Sequence, residues 1–529
     1  MGNTAPTDLH PRQRGIALLL LLAIVGMATL FTLVTGLNRS AGDLARARER
    51  KTHAALAQAK AALIAYAVTY KDTHDIPGSS YTVPGYLPCP DLGTPHFGQY
   101  YEGAAAANCG ASRVSAIGKL PWRTLGLDAL KDGSGGCLWY AVSGTYKNNP
   151  NRVSGRTATS NMMNWDTNGQ FAVVDGSGNT LAGSRPDNQA VAVIFAPGSA
   201  LSGQDRTPVA ATTNCAGHYT AAAYLETANG IDNSVVSRTA GAQSTFIAGA
   251  AGDSFNDKLA YITRADIWNA IKKRADFNNH LRAMTRRAAE CIASYANQNS
   301  NKRDKRLPWA SSVLLSATSV QAYAVSASYN DLSGRMYGRL PFNVDDSDSE
   351  TDNNISADIS DYGNYGAHIF TDSSYCSYTP DQKIWYDHWK DQLFYAVAQN
   401  FQPEASRWQR GDCPTCLSIN GGGNYAAVVV FAGDKLTDAT GQVTQPRSLA
   451  SEKGSIANYL EGRNASNYPN SGGNGNYRAA AASAAFNDIV YAINSDLSVS
   501  CSDATGVMRR VPDAAAAPPG NPADYAACL

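Results

Sequence analysis

The chain has 529 residues, and its 44 basic and 44 acidic residues give a net charge of zero. A length of this order predicts two or more domains. The balanced charge gives no indication of a strongly basic nucleic-acid-binding surface, so no nucleic-acid partner is expected. Only 17% of the residues are charged, which is more typical of a secreted or envelope protein than of a cytosolic enzyme.

The chain begins with a short polar leader, residues 1–15, that ends in Arg14 and Gly15. Residues 16–37 follow without a charge (IALLLLLAIVGMATLFTLVTGL). This run is long enough to cross a bilayer as a helix, and we interpret it as a transmembrane helix. A secretory signal peptide has a shorter apolar core, followed by a small-residue cleavage site. A plain membrane anchor remains an alternative.

Residues 38–72 are predicted to continue this helix as an amphipathic segment. Its apolar residues recur at intervals of three and four, which places them on one face of a helix. They are Leu56, Ala59, Leu63, Tyr66 and Tyr70. The stripe predicts a spine helix that packs onto a globular head.

Seven short sequence matches occur twice in the same order, which indicates an internal duplication. Coincidence among common dipeptides is the alternative. The repeats predict a first module at 53–265 and a second, diverged module at 283–497. The matched pairs are 61–67 with 290–296, 87–89 with 307–309, 118–122 with 338–342, 138–142 with 393–397, 191–198 with 427–433, 224–226 with 459–461, and 255–257 with 486–488.

Residues 262–297 contain neither proline nor glycine, and we predict one connecting helix there. Its second half would serve as the spine of the second module. Short apolar strands bounded by turn residues follow in each module; VAVIFA and YAAVVVFA are the clearest. The predicted fold class is α+β, with two heads that each pack a helix on an antiparallel sheet. Residues 498–529 form an Ala- and Pro-rich tail.

A polar leader ending in Arg-Gly, an apolar helix and an amphipathic continuation resemble the start of type IV pilins and of type II secretion pseudopilins. The order LPCPD, GKLPWRTLGL, LWYAVS and SFNDKLAYIT in module one is similar to a family of large pseudopilin-like proteins. That family has no known enzymatic activity, so the resemblance implies that the chain is not an enzyme. Module two departs from the pattern, with LPWAS and GRLPFNVDD in place of the first two motifs.

The resemblance implies roles for three N-terminal residues. A prepilin peptidase would cut between Gly15 and Ile16 and methylate the new amino group. Most family members carry at the fifth mature position a glutamate that pairs with the terminal amine of a neighbouring subunit. Leu20 stands at that position here and cannot form the pair. Since family members without this glutamate include the filament tip subunit, a tip or initiating position is implied. A simple anchor outside any filament is the alternative explanation of Leu20.

An acidic run in module two is a candidate calcium site, because carboxylates that alternate along a loop can converge on this cation. No glycine occupies the sixth place of an EF-hand loop, and a solvated acidic loop is the favoured alternative. No other cofactor is expected. The candidate ligands are Asp345, Asp346, Asp348, Glu350 and Asp352.

All ten cysteines follow the apolar segment, which predicts disulfides in an oxidising compartment. Cys89 with Cys109 and Cys501 with Cys528 are plausible local pairs, but spacing alone does not fix the connectivity. Cys413 and Cys416 have the CxxC spacing of redox and zinc sites; nothing completes either site, and a structural role is favoured. Cys137 and Cys215 complete the set of disulfide candidates.

These observations predict a minor pilin or pseudopilin, at the tip or in initiation of a type II secretion pseudopilus or a type IV pilus. The expected location is the inner membrane, crossed once, with the heads in the periplasm or at the cell surface. Residues 39–51 are more basic than the leader, so charge alone does not fix the orientation. The expected partners are a prepilin peptidase, other pilins or pseudopilins, the inner membrane, and a secreted substrate or surface ligand. A membrane-anchored extracytoplasmic binding protein or adhesin is the alternative.

Overall fold

The computed structural model describes residues 42–76, 81–94, 101–147, 162–209, 214–215, 217–297, 306–344, 367–368, 376, 378–403, 416–440, 442–467, 475–503 and 505–511. The predicted leader 1–15, the apolar segment 16–37 and the candidate calcium ligands at 345–352 lie outside these ranges. Most of the predicted tail, beyond residue 511, lies outside them as well.

The first half of the described chain begins with helix and continues as a mixed set of strands. Helix α1 covers residues 42–68. The elements that follow are α2 (Tyr70–His74), β1 (Ala116–Lys119), β2 (Trp139–Val142), β3 (Phe171–Asp175), β4 (Thr180–Ala182), β5 (Ala190–Ala196), β6 (Thr227–Ala228), β7 (Ile231–Asp232), β8 (Ser244–Ala248) and β9 (Lys258–Thr263).

The second half also begins with two helices, and its strands follow them. Its elements are α3 (Arg264–Ile271), α4 (Ala275–Asn297), β10 (Tyr337–Arg339), β11 (Asn343–Val344), β12 (Ala367–His368), α5 (Pro380–Trp389), β13 (Leu393–Val397), β14 (Leu417–Ile419), β15 (Gly422–Phe431), α6 (Ala450–Lys453), α7 (Arg463–Asn467), β16 (Asn476–Tyr477), β17 (Ile489–Asn494), β18 (Val499–Ser502) and β19 (Met508–Arg510). The predicted α+β class is confirmed.

Each half contains a four-stranded antiparallel core with the same strand order. In the first half it runs β1-β2-β5-β9, within a sheet of seven strands. In the second half it runs β10-β13-β15-β17, within a sheet of eight strands. We call the halves module one and module two.

The two modules also share their strand register. In module one, Tyr140 pairs with Gly118 on one side and with Ile194 on the other. In module two, Tyr395 pairs in the same way with Gly338 and with Val429. Because a slip of one residue would turn every side chain to the opposite face, a matching register means that the same positions face the core.

Gly118 and Gly338 explain why one loop approaches each sheet closely. A Cβ atom on Gly118 would lie 2.6 Å from the Asp91 carbonyl oxygen, and one on Gly338 would lie 1.9 Å from that of Ser311. Both contacts are shorter than any side chain tolerates. Glycine therefore lets the LPCPD loop of module one and the LPWAS loop of module two form backbone hydrogen bonds with β1 and β10.

Helix α1 lies on its sheet through the apolar stripe that the sequence predicts. Leu56, Ala59, Leu63 and Tyr70 are buried, and Tyr66 is half-buried. In module two, the equivalent face of α4 buries Leu281, Ala288 and Ile292, among others. Both helices belong to one continuous hydrophobic core that extends through the two modules. The two modules therefore pack against each other as one unit and are not separated by a linker.

The predicted single helix over 262–297 is wrong in detail. Ile262 and Thr263 end strand β9, and the helical part is divided into α3 and α4. Thr263 caps α3, because its side chain accepts a hydrogen bond from the Asp266 N–H. At the break, Arg274 forms ion pairs with Asp72 of module one and with Asp276. No proline or glycine marks this break, so the sequence pattern alone did not predict it.

The prediction of a single-pass inner-membrane location is wrong for the part of the chain that the structure describes. None of the helices in that part is long and apolar enough to cross a membrane. Helix α4, with 23 residues, is long enough, but polar and charged side chains cover one of its faces. The segment 16–37, which carried the prediction, is outside the described residues.

The equivalent tyrosines of the two sheets provide a test of the duplication. Tyr140 donates its hydroxyl hydrogen bond to the Pro88 carbonyl at 3.2 Å, and Tyr395 donates to the Pro308 carbonyl at 3.1 Å. Both rings are buried. We expect Tyr140→Phe and Tyr395→Phe each to lower the free energy of unfolding by about 1–2 kcal/mol, since each leaves a buried carbonyl without its partner. Urea unfolding measures this, and clearly unequal losses would contradict the equivalence.

Candidate functional site

A buried carboxyl pair lies beside the end of the central strand in module one. The Glu226 N–H donates to Asp257 Oδ2 at 2.9 Å, and Asn233 Nδ2 donates to the same oxygen at 3.0 Å. In return, Glu226 Oε2 accepts the Asp257 N–H at 3.1 Å. Burial and the adjacent Glu226 raise the pKa of Asp257 to about 8. The pair therefore retains a proton at neutral pH.

Module two builds the same pair from equivalent residues. Glu461 N–H donates to Asp488 Oδ2 at 3.2 Å, and Asn464 Nδ2 donates to it at 2.8 Å. Burial and the adjacent Glu461 raise the pKa of Asp488 well above its ordinary value. These pairs explain the repeated YLE and FND motifs: in each module, the two motifs each contribute one carboxyl group to a buried carboxyl pair.

A glutamine and an arginine complete each pair, and the sequence comparison missed both. In module one, Gln204 Nε2 donates to Glu226 Oε1 at 2.7 Å, and the Arg206 guanidinium stacks 4.8 Å from the Tyr224 ring centroid. In module two, Gln445 Nε2 donates to Glu461 Oε1 at 3.0 Å, and Arg447 stacks 4.5 Å from the Tyr459 ring. Both modules contain a Q-x-R pattern, and this pattern is the sequence signal from which the two residues could have been identified.

A short segment of module one, residues 162–168, inserts into module two. The Met163 N–H donates to His388 Nδ1 at 2.8 Å. Asn164 Nδ2 donates to the His388 carbonyl and to Asp391 Oδ1, each at 2.9 Å. Burial lowers the pKa of His388 to about 3, so its ring is neutral and can accept the Met163 hydrogen bond.

Trp165 anchors this segment in an aromatic cluster. Its ring lies edge-on to Trp389, with centroids 4.4 Å apart, and 5.8 Å from the Phe431 ring. Phe277 of α4 joins at 6.2 Å. Because edge-to-face rings of this kind add to the free energy of burying their area, the inserted segment is held by packing as well as by hydrogen bonds.

Asp166 brings one negative charge of module one into a group of cations of module two. Its carboxylate lies 3.4 Å from Lys435 Nζ, 3.6 Å from Arg447 Nη1 and 4.0 Å from Lys453 Nζ. Burial alone would raise the pKa of Asp166, but these cations and Arg264 together lower it below its ordinary value. Asp391 also pairs with Lys453, at 2.7 Å. We call Asp166, Asp391, Lys435, Arg447 and Lys453 the inter-module charge cluster.

A cavity of about 310 Å³ opens beside this cluster, between the two modules. Asp166 and Lys453 form part of its buried wall, and Gln243 lies at an exposed position. Arg113, Gln189 and Gln321 also line it. A volume of this size is at the lower end of the range for small-ligand sites. Its walls come from both modules, so neither module forms it alone.

The structure confirms the prediction of disulfides. Cys89 bonds Cys109, Cys137 bonds Cys215, and Cys291 bonds Cys376. Cys416 and Cys501 are also disulfide-bonded. Cys413 and Cys528 lie outside the described residues. The Cys291–Cys376 bond ties helix α4 to the segment before α5, a pairing that spacing along the chain did not suggest.

The remaining sequence candidates are not brought to this site. Gly15, Ile16 and Leu20 lie outside the described residues, and so do Asp345, Asp346, Asp348, Glu350 and Asp352. Within the described ranges, no three histidine, cysteine, aspartate or glutamate side chains are grouped as a metal site. Comparison with family models, with curated proteins and with solved structures finds no match. The site is therefore interpreted from its own geometry.

Proposed function

We propose that this chain is a structural minor pilin or pseudopilin, not an enzyme, that occupies an initiating or tip position. The observation that carries the proposal is the repeated module, a helix packed on an antiparallel sheet. The first helix is already formed at residue 42, five residues after the apolar segment 16–37. A helix that begins as a filament-packing segment and ends on a head is the arrangement that the pilin-like N-terminal sequence implies.

The inter-module charge cluster supports an end position in a filament. Asp166 of module one is 1% exposed, and the three module-two cations around it are 0–6% exposed. Charges removed from water in this way stay paired only if the two heads keep a fixed orientation. The protein therefore carries a rigid double head. Such a head is twice the unit that a regular helical stack of single-headed subunits would accommodate, whereas an end of the filament leaves room for it.

Co-purification from the native cell tests this proposal. We expect the full-length protein, carrying a C-terminal tag, to retain smaller pilin-like subunits together with a prepilin peptidase. Deletion of the gene should abolish filament assembly or secretion. Recovery of the protein without any pilin-like subunit, together with normal assembly in the deletion strain, would contradict it.

Processing of the leader gives a residue-level prediction. Glycine has no side chain to obstruct the close approach of a peptidase to the backbone. We expect the wild-type chain to lose residues 1–15 and Gly15→Val to retain them, which the intact mass of the purified protein measures. Gly2→Val is the matched control, because it changes a glycine of the leader away from the junction. A processed Gly15→Val protein would contradict the assignment of the junction.

A second candidate function is an extracytoplasmic binding protein or adhesin that does not join a filament. The cavity between the modules favours it, because this cavity offers polar side chains from both heads to a small ligand. Retention of residues 1–15 in the mature protein, with no pilin-like subunit bound, would favour this candidate over the first.

A further inference from the structure

Arg113 differs from the other large cations near the inter-module cavity. Among the described residues, its guanidinium has no ion pair and no hydrogen bond, and its Nε atom is buried without a partner. By contrast, Arg447 donates to Gln392 Oε1 and to the Gly433 carbonyl. A buried donor with no acceptor is costly, so an acceptor that enters the cavity from outside would be favoured at this position.

The backbone at Arg113 is held in an unusual conformation. Its φ angle is +62°, in the left-handed region that few residues other than glycine adopt. The Arg113 carbonyl accepts a hydrogen bond from Gln170 Nε2 at 3.0 Å and another from the Gly241 N–H at 2.9 Å. Two hydrogen bonds from different loops thus keep the strained residue in place. Strain that the surroundings maintain is a recurrent property of binding sites.

Gly241 leaves the space that the guanidinium needs. A Cβ atom at this position would lie 2.6 Å from Arg113 Nη2, so a larger residue would push the guanidinium out of its present position. The Gly241 φ angle of +80° likewise suits glycine. The chain therefore supplies both the hydrogen bond that fixes the Arg113 backbone and the gap beside its side chain.

The charge around the cavity is positive. The charged residues that line it are two cations, Arg113 and Lys453, and one carboxylate, Asp166. Lys453 pairs with Asp391 at 2.7 Å, whereas Arg113 has no ion pair among the described residues. In a partly desolvated cavity this excess favours a ligand that carries a negative charge.

Besides Arg113, Lys453 and Asp166, the cavity is lined by neutral polar side chains, several of which are amides. Gln189 Nε2 donates to Gln243 Oε1 at 3.0 Å. The Gln243 Nε2 group has no hydrogen-bond partner among the described residues. The same is true of the amide oxygen and nitrogen of the Gln321 side chain. Carboxamides of this kind bind carbonyl and hydroxyl groups. The cavity therefore combines one fork-shaped cation with several neutral hydrogen-bonding groups.

We infer that the inter-module cavity is a binding site for a small polar ligand that carries one carboxylate, which Arg113 binds through its guanidinium fork. Arginine matches a carboxylate with two parallel hydrogen bonds. A single unpaired guanidinium beside neutral amides suits one carboxylate and neutral polar groups better than a phosphate, which would use more charged donors. An N-acylated amino acid with a neutral polar side chain and a uronic acid sugar both offer this chemistry. The inference does not rest on filament assembly.

Calorimetric titration of the purified full-length chain tests the site. The probes are N-acetylglutamine and glucuronate, each with one carboxylate; each is compared with its neutral counterpart, N-acetylglutaminamide or glucose, and with inorganic phosphate. We expect at least one acid to bind at millimolar concentration or tighter, and to bind more tightly than its neutral counterpart and than phosphate. The tighter of the two acids indicates the source of the carboxylate.

Three variants separate the site from a general charge effect. Arg113→Gln should weaken binding of the acid by about tenfold or more, the loss expected for a hydrogen bond to a charged group. Ala324→Trp should abolish binding by filling the cavity, which Ala324 lines. Arg463→Gln, which removes an exposed arginine of module two, should leave binding unchanged. Thermal unfolding of each variant establishes that it is folded.

The inference would be overturned by any of three results. They are no binding of either acid at millimolar concentration, equal binding of acid and neutral counterpart, or unchanged affinity in folded Arg113→Gln and Ala324→Trp proteins. Tighter binding of phosphate than of either acid would also overturn it.

Discussion

Replacing Asp166 with alanine is expected to lower the free energy of unfolding by about 3–5 kcal/mol, the usual consequence of removing one partner of a buried ion pair. The carboxylate is the shared counter-charge of Lys435, Arg447 and Lys453. Asp391 pairs with Lys453 alone at 2.7 Å. Without Asp166, at least two buried cations lose their nearest negative charge, and the interface between the modules is the part that loses stability.

Urea unfolding followed by tryptophan fluorescence measures this loss, because Trp165 and Trp389 lie next to the cluster. Asp166→Asn should have a smaller but similar effect, since it keeps the shape and removes the charge. Asp128→Asn is the control, because Asp128 is an exposed aspartate of module one and the change in net charge is identical. A loss below about 1 kcal/mol for Asp166→Ala would mean that the cluster does not hold the modules together.

The second large effect is a dependence of stability on pH that the carboxyl pairs create. In the unfolded chain, an aspartate has a pKa of about 3.9, whereas in the folded protein the pKa of Asp257 is raised to about 8. Between these values the folded state binds more protons than the unfolded state. Stability therefore falls as the pH rises from about 4 to about 8 and levels off above that. Asp488 adds a contribution of the same sign.

Asp257→Asn should remove its share of this dependence. An amide cannot ionise, and its NH₂ group provides the donor that the protonated acid provides. At pH 8 we expect the variant to be more stable than the wild type by about 2–5 kcal/mol, and at pH 4 to be nearly equal to it. We expect Asp488→Asn to change the pH dependence of stability in the same direction. Asp253→Asn, an exposed neighbour in the same loop, serves as control. Equal pH slopes for wild type and Asp257→Asn would show that the pair is not protonated.

Several of the sequence matches fall on strands that share one order and register in the two halves, but they did not indicate the chemistry that the halves have in common. YLE and FND are short motifs, and nothing in either one indicates that their carboxyl groups meet. Gln204 and Arg206 were missed because their neighbours differ between the modules, so that only two residues in three match those at Gln445 and Arg447. A repeat of two separated polar residues does not stand out from chance until their contacts are known.

The strand match over 191–198 and 427–433 also needs a correction. The sequence suggests that Phe195 and Phe431 are equivalent, since both precede alanine. The register instead pairs Trp139 with Phe195 and the equivalent Phe394 with Val430. Phe195 and Phe431 therefore point to opposite faces of their sheets, and Phe195 lies in a smaller second core of module one. Because strand side chains alternate, a shift of one residue is enough to reverse the face.

Asp166 could not be identified from the sequence at all. It precedes no recognisable motif, and its hydrogen-bond donor Gln392 lies 226 residues away along the chain. Composition and periodicity report on local structure, whereas this site depends on how two modules pack. Helices, strands and the repeat were within reach of pattern reasoning; the contacts between the modules were not.

The inserted segment 162–168 also bears on how the gene has been able to change. Once one copy depends on the other for the counter-charge of its buried cations, recombination that deletes or exchanges either copy leaves a product with uncompensated charges in its interior. Because Asp166 of module one neutralises buried cations of module two, loss of either module would destabilise the protein, and we expect the two modules to be retained together.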